Sequence, residues 1–267
     1  MNSLIFSVGR GAIVLLGLPA PFVLALEPPV RALSADRPDS TESPLTVPRG
    51  MWQIESSFFS LTKDDTGGTD FESWVLGETN VKFGTTSQSD LQLVLQPYVH
   101  ERERTAMGLA EAHGIGDVEV RFKWNLWGND GGGATAGGLL PYVKIPTGTD
   151  VSNHEWEGGL IVPFGWDLAE NLGLGLQAEV AQNFDAGVGH YWALSYTAVL
   201  GVSITEQLGA FIEYVGTVSE LPYESLASAG VTFQVNENLQ FDAGGLLGLN
   251  NPSEDFTLFS GVTFRFK

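Results

Sequence analysis

Residues 118–126 read V-E-V-R-F-K-W-N-L, and that alternation leaves little choice of fold. Val118, Val120, Phe122, Trp124 and Leu126 fall on one side at period two, while Glu119, Arg121, Lys123 and Asn125 fall on the other. A helix of 3.6 residues per turn would mix the two sets; an extended strand keeps them apart. The same sorting recurs from Met51 to the end of the chain. Trp52, Ile54 and Phe58 oppose Gln53 and Glu55; Val75, Val81 and Phe83 oppose Glu78, Asn80 and Lys82; Leu91, Leu93, Leu95 and Val99 oppose Gln92, Gln96 and Tyr98. Val143 and Ile145 oppose Tyr142 and Lys144, with Leu140 on the polar side. Leu172, Leu174, Leu176 and Val180 oppose Gln177 and Glu179, Ile212 and Tyr214 oppose Glu213, and Phe241 opposes Asp242. The last stretch sets Phe256, Leu258, Val262, Phe264 and Phe266 against Thr257, Thr263 and Arg265, with Phe259 and Ser260 blurring the alternation. Such a terminal strand needs a first strand to close against, or it leaves an unpaired edge. The pattern predicts an all-β antiparallel cylinder of about twelve strands.

Charge decides which face is outside. On the predicted strands every Lys, Arg, Asp and Glu, including Glu78, Lys82, Glu119, Arg121, Lys123, Lys144, Glu179, Glu213, Asp242 and Arg265, falls on the polar face. A water-soluble barrel carries charge outside and hydrocarbon inside. The reverse is expected in lipid, where a cation facing the bilayer midplane costs about 2–4 kcal/mol. These ten residues are therefore expected to line the lumen, where the opposite signs of Glu78, Lys82, Glu119, Arg121 and Lys123 are expected to neutralise one another and keep the lumen wet, with a constriction that filters solutes by charge as the alternative. Trp52, Trp74, Trp127, Trp156, Trp166 and Trp192 lie near predicted strand ends, where an indole suits a membrane surface.

The connections alternate in length. Short turns are predicted at residues 85–89, 129–133, 169–171, 205–207 and 236–238; longer, irregular loops at 62–70, 100–115, 147–155, 183–190, 217–224 and 248–254. That order puts both chain ends on the short-turn side, which in a bacterial barrel faces the periplasm. Residues 1–25 carry Arg10, an apolar run and small residues, the pattern of a secretory signal peptide. Residues 26–50 hold Pro28, Pro29, Pro38, Pro44 and Pro48, so they are expected to form an irregular periplasmic arm ahead of a barrel at 51–267. The chain has no cysteine, which excludes a disulfide framework. Its formal net charge of −19 argues against nucleic acid as a partner.

Little here points to an active site. His100, His113, His154 and His190 lie in or beside predicted loops without metal-ligand spacing, so neither metal nor cofactor is expected. Ser195 and His190 are the nearest pair for lipid hydrolysis, but five residues of strand span roughly 17 Å. Gly131, Gly132 and Gly133 lack the G-K-[ST] ending of a phosphate loop. The run from His100 to Arg104, H-E-R-E-R, reads as a solvated outer loop.

The arm at residues 35–50, A-D-R-P-D-S-T-E-S-P-L-T-V-P-R-G, leads into W-Q-I-E at Trp52 to Glu55. Further marks are G-I-G-D-V-E-V-R-F-K-W-N at 114–125, P-Y-V-K-I-P-T-G at 141–148, and the E-N-L or E-Q-L turns at Glu170, Glu206 and Glu237. Together these resemble the family of outer-membrane transporters named for the MetA pathway of phenol degradation. The resemblance implies a barrel of the Gram-negative outer membrane that helps solutes across, often beside aromatic-degradation enzymes, and it supplies no catalytic residues. The chain departs from the usual terminal aromatic in placing Lys267 after Phe266. The expected partners are outer-membrane lipid and lipopolysaccharide, the barrel-insertion machinery and small solutes. The expected function is passive or weakly selective passage, aromatic or hydrophobic compounds being suggested by the family alone. The alternatives are a barrel enzyme acting on envelope lipids and a non-conducting structural or receptor barrel. Twelve strands enclose a bore that is narrow or, with the arm inside, plugged.

Overall fold

The computed structural model describes residues 30–267; the expected signal peptide at 1–25 and the start of the arm at 26–29 lie outside the described residues. Fifteen strand segments form one antiparallel sheet that closes on itself. They are β1 (Trp52–Thr66), β2 (Thr69–Leu76), β3 (Thr79–Gly84), β4 (Ser89–Leu95), β5 (Tyr98–Thr105), β6 (Gly108–Gly114), β7 (Val118–Trp127), β8 (Thr135–Ile145), β9 (Glu157–Ala169), β10 (Leu172–Asp185), β11 (Gly189–Ser203), β12 (Leu208–Val218), β13 (Glu224–Asn236), β14 (Leu239–Gly248) and β15 (Phe256–Phe266). The pairs β2 and β3, β4 and β5, and β6 and β7 are each one stave interrupted by a short break, so the segments make twelve staves. β15 pairs with β1 from Trp52↔Phe266 to Lys63↔Phe256, which closes the cylinder and satisfies both edges.

The faces sort as the charge pattern requires. Along β7, Phe122, Trp124 and Leu126 are exposed, whereas Lys123 and Asn125 are fully enclosed at 1% and 0%. Leu140, on the polar side of its strand, is likewise buried in the interior. The exposed exterior includes Trp52, Trp127, Trp156, Trp166 and Trp192. An exposed apolar face this extensive is the surface of a protein that meets hydrocarbon.

Two expectations are corrected. The loops predicted at 62–70, 100–115 and 183–190 are mostly strand: β1 and β2 meet at a tight turn on Gly67 and Gly68, both at positive φ, and β5 and β6 form a hairpin. H-E-R-E-R has no apolar face to betray a strand. Its charges instead pair by register in the row Lys63↔Glu72↔Arg102↔Glu111, with Lys63 Nζ 2.7 Å from Glu72. Charge therefore does occur on the outer face, above the breaks.

The second correction concerns alternation. β1 is bulged between Ser57 and Phe59, and the neighbouring staves break at Gly77, at Gln96 and Pro97, and at residues 115–117. The breaks lie side by side, Ser57 N donating to Glu78 O at 2.8 Å and Gly116 N to Gln96 O at 2.9 Å. A break of this kind switches which side chains point inward. Tyr98 is consequently exposed and Val99 buried, while Val75 faces an internal cavity beside Glu78, the reverse of the unbroken alternation.

Candidate functional site: the lumen and its arm

Residues 31–50 run inside the short-turn half of the cylinder and are held there by wall side chains. Asp36 is the centre. Its carboxylate accepts from Lys123 Nζ at 2.6 Å and is paired with Lys82, which also binds Glu55. Glu42 takes Arg121 at 2.8 Å and Lys123 at 3.2 Å, and Arg121 is shared with Glu119 at 2.6 Å. Arg37 reaches β14 and β1, where its Nη2 and Nε meet Asp242 at 2.7 and 3.2 Å and its Nη1 donates to Ser57 at 2.6 Å.

Single hydrogen bonds complete the docking. Ser40 N donates to both oxygens of Glu213 at 3.0–3.1 Å, and the Thr41 hydroxyl donates to Glu213 Oε1 at 2.7 Å. The Thr41 and Thr197 hydroxyls are 2.6 Å apart. The Glu42 amide donates to Gln177 at 2.7 Å, the Val47 amide to Asp90 at 2.8 Å, and Asn125 Nδ2 to Pro44 O at 2.9 Å. Arg265 reaches Ala32 O at 3.2 Å. Prolines forbid a ladder, so the arm's backbone groups find partners one at a time on wall side chains.

Electrostatics in the arm follow from this packing. Burial works to raise the Asp36 carboxyl, but Lys123 and Lys82 outweigh it and hold the group below the usual carboxylate range. Burial and the nearby Asp36 push Glu42 up from its ordinary 4.5 to about 7, against the pull of Lys123 and Arg121. Asp39 is raised as well, by burial and then by Glu213.

Of the ten residues expected to line the lumen, Lys82, Arg121, Lys123, Glu213, Asp242 and Arg265 contact the arm, and Glu119 reaches it through Arg121. The other three engage wall partners: Glu78 accepts from Gln96 at 2.6 Å, Lys144 pairs with Glu157 at 2.5 Å, and Glu179 accepts from the Tyr142 hydroxyl. Sequence reasoning missed the arm's own share, namely Asp36, Arg37, Thr41 and Glu42. The dense D-R-P-D-S-T-E stretch could have signalled it, as complementary charge facing Lys82 and Lys123. Ser195 and His190 lie five positions apart on β11, hence on opposite faces of that strand, and do not meet; Ser195 Oγ lies 3.1 Å from Thr217 and His190 Nε2 3.4 Å from Glu155. Among the described residues no three His, Asp or Glu side chains converge as metal ligands.

An apolar exterior, a closed ladder and a polar interior define an outer-membrane β-barrel. The model of the family described as "Putative MetA-pathway of phenol degradation" matches residues 35–266, and the chain belongs to that family. The match includes most of the arm. Among solved structures, an outer-membrane channel from Pseudomonas putida F1 superposes with a TM-score of 0.64 at 14% identity, covering 84% of this chain and 98% of that one. The translocator domain of the autotransporter NalP from Neisseria meningitidis gives 0.52 at 10% identity over 81% and 88%. The β domain of a Bordetella autotransporter gives 0.50 at 12% over 80% and 98%. These likenesses concern the fold. No curated protein matches the sequence.

Proposed function

We propose that this barrel is a channel of the outer membrane for small solutes, with its arm as the occluding element. The observation that carries the reading is the docking itself: a polar-lined cylinder whose short-turn half is occupied by residues 31–50 through ion pairs and single hydrogen bonds, without any ladder between arm and wall. Contacts of that kind are separable in a way a strand in the sheet is not. Arg121 and Lys123, whose alternative reading from sequence is a charge filter, serve here to fasten the arm. Aromatic or hydrophobic compounds are the solutes the family's description suggests. Lipopolysaccharide and outer-membrane lipid are the surroundings that the exposed girdle and the β5–β6 hairpin fit, and the insertion machinery is the route by which such a barrel arrives.

The test compares full-length protein with a variant lacking residues 31–48, in planar bilayers and in solute-loaded liposomes. The variant is expected to show larger, more frequent current steps and faster swelling. A folded variant that passes neither ions nor a phenol series would leave a non-conducting structural barrel as the better account.

A further inference from the structure

The lumen is two-sided. The staves carrying Glu55, Lys82, Asp90 and Lys123 are zipped to the arm, whereas β10 to β12 hold it only at Gln177, Thr197 and Glu213, and nearer the short turns β9 to β12 present Gly165, Gly173, Gly175, Gly201 and Gly209 to it. Glycines bring no side chain to fill the space, and a cavity of about 510 Å³ remains between this wall and the arm. A Cβ built on Gly173 or Gly201 meets nothing within 4 Å. A second chamber of about 320 Å³ lies beyond the arm and shares Arg37, Pro38 and Asp39 as its walls, so these three residues form the partition between the two.

We infer that the larger cavity is a solute-binding site, present while the arm is docked, for a small uncharged or cationic molecule of one or two rings. Its volume lies within the roughly 300–1,000 Å³ of small-molecule sites. An apolar cavity of roughly 150 Å³ already holds benzene. Phe211, Val199 and Pro44 supply apolar wall; Gln240 and Thr232 supply hydrogen-bonding groups. The charges among the lining residues are Arg37, Asp39 and Asp167, and the guanidinium is already bound on two nitrogens by Asp242. No uncompensated positive charge is therefore offered to an anion, whichever way the two carboxyls are protonated.

The inference rests on the channel reading for its biological sense but is tested without conduction. Three probes share a ring and differ in charge: 4-fluorophenol, 4-fluorobenzylamine and 4-fluorobenzoate. Fluorine NMR of each, with the purified full chain in detergent micelles, should show broadening for the phenol and the amine and little for the benzoate. Gly201→Trp should abolish that broadening, and Gly173→Leu, a smaller intrusion, should reduce it. Met107→Trp, at the exposed hairpin tip, should leave it unchanged. Heat-modifiable electrophoretic migration reports that each barrel is folded, and should Gly201→Trp fail to fold, Gly173→Leu decides. Broadening that survives in a folded Gly201→Trp or Gly173→Leu barrel, or that is as strong for benzoate as for phenol, overturns the site. Bilayer currents judge the channel separately: binding without current in wild type or in the arm-deleted form leaves the site standing and removes the channel, and the reverse result removes the site alone.

Discussion

At the scale of single residues, the lumen trades solvation for position. Lys82 and Lys123 are almost fully enclosed, and a buried ion pair returns little net stability because desolvation offsets attraction. Its value is registry, since Asp36 satisfies both cations only when the arm sits at one height. Removing one partner is a different matter, costing about 3–5 kcal/mol where a buried charge loses its compensation; without Lys123, Asp36 keeps Lys82 and Glu42 keeps Arg121, which puts the loss at the low end. Lys123→Met should thus weaken arm docking on the order of a hundredfold at the low end of that range. The expected readout is protease cleavage within residues 31–48 of a barrel that still migrates as folded; an arm as protected as in wild type would refute it. Protonation gives a second handle. Asp36, held below its ordinary value, favours docking once it is ionised and loses that contribution in strong acid. Glu42 works the other way. Its docked carboxyl keeps a proton up to about 7 that the free carboxyl gives up near 4.5, so docking weakens as pH rises through that window. Protection of the arm should peak near the lower edge, and Glu42→Gln should flatten the decline. The wall half of this network was legible because strand parity assigns each charge a side. The arm half was not, since proline-rich chain has no period to read.

At the scale of elements, turns and strand number followed from pattern, while breaks and hairpins escaped it. The short turns at 85–89, 129–133, 169–171, 205–207 and 236–238 all fall between paired strands. Parity failed where an extra residue entered a stave, at Ser57 to Phe59, Gly77 and Pro97, because a period of two cannot record its own phase shift. The β5–β6 hairpin escaped for another reason: above the bilayer no lipid requires an apolar face. β6 pairs only with β5, whereas the wall below is closed by β4 and β7. The hairpin tip is therefore dispensable to closure. Replacing residues 102–111 by Asn-Gly joins the facing residues Glu101 and Ala112 through a two-residue turn suited to a hairpin. The shortened chain should retain heat-modifiable migration and wild-type conductance. Loss of the folded band would mean that the hairpin organises the staves beneath it.

At the scale of the whole molecule, the wall and the arm are held by different forces and should come apart separately. Every stave is bonded to two others through a continuous ladder that closes at β1 and β15, and none of those bonds involves the arm. A question follows about passage: whether solutes slip beside a docked arm or wait for it to leave. The chain offers a clean way to ask, since it contains no cysteine and a single engineered pair has no competitor. Thr41 and Thr197 suit it, because their hydroxyls already lie 2.6 Å apart and both side chains are short. Thr41→Cys with Thr197→Cys, oxidised, pins the arm to β11; a reductant frees it. The glycine-lined cavity exists with the arm in place, so the pinned barrel should still broaden the fluorophenol signal. Large current steps require the arm to move, so they should vanish on oxidation and return on reduction. Large steps that persist in a fully cross-linked barrel would show that the docked arm is no obstruction, and would place the conducting path beside it.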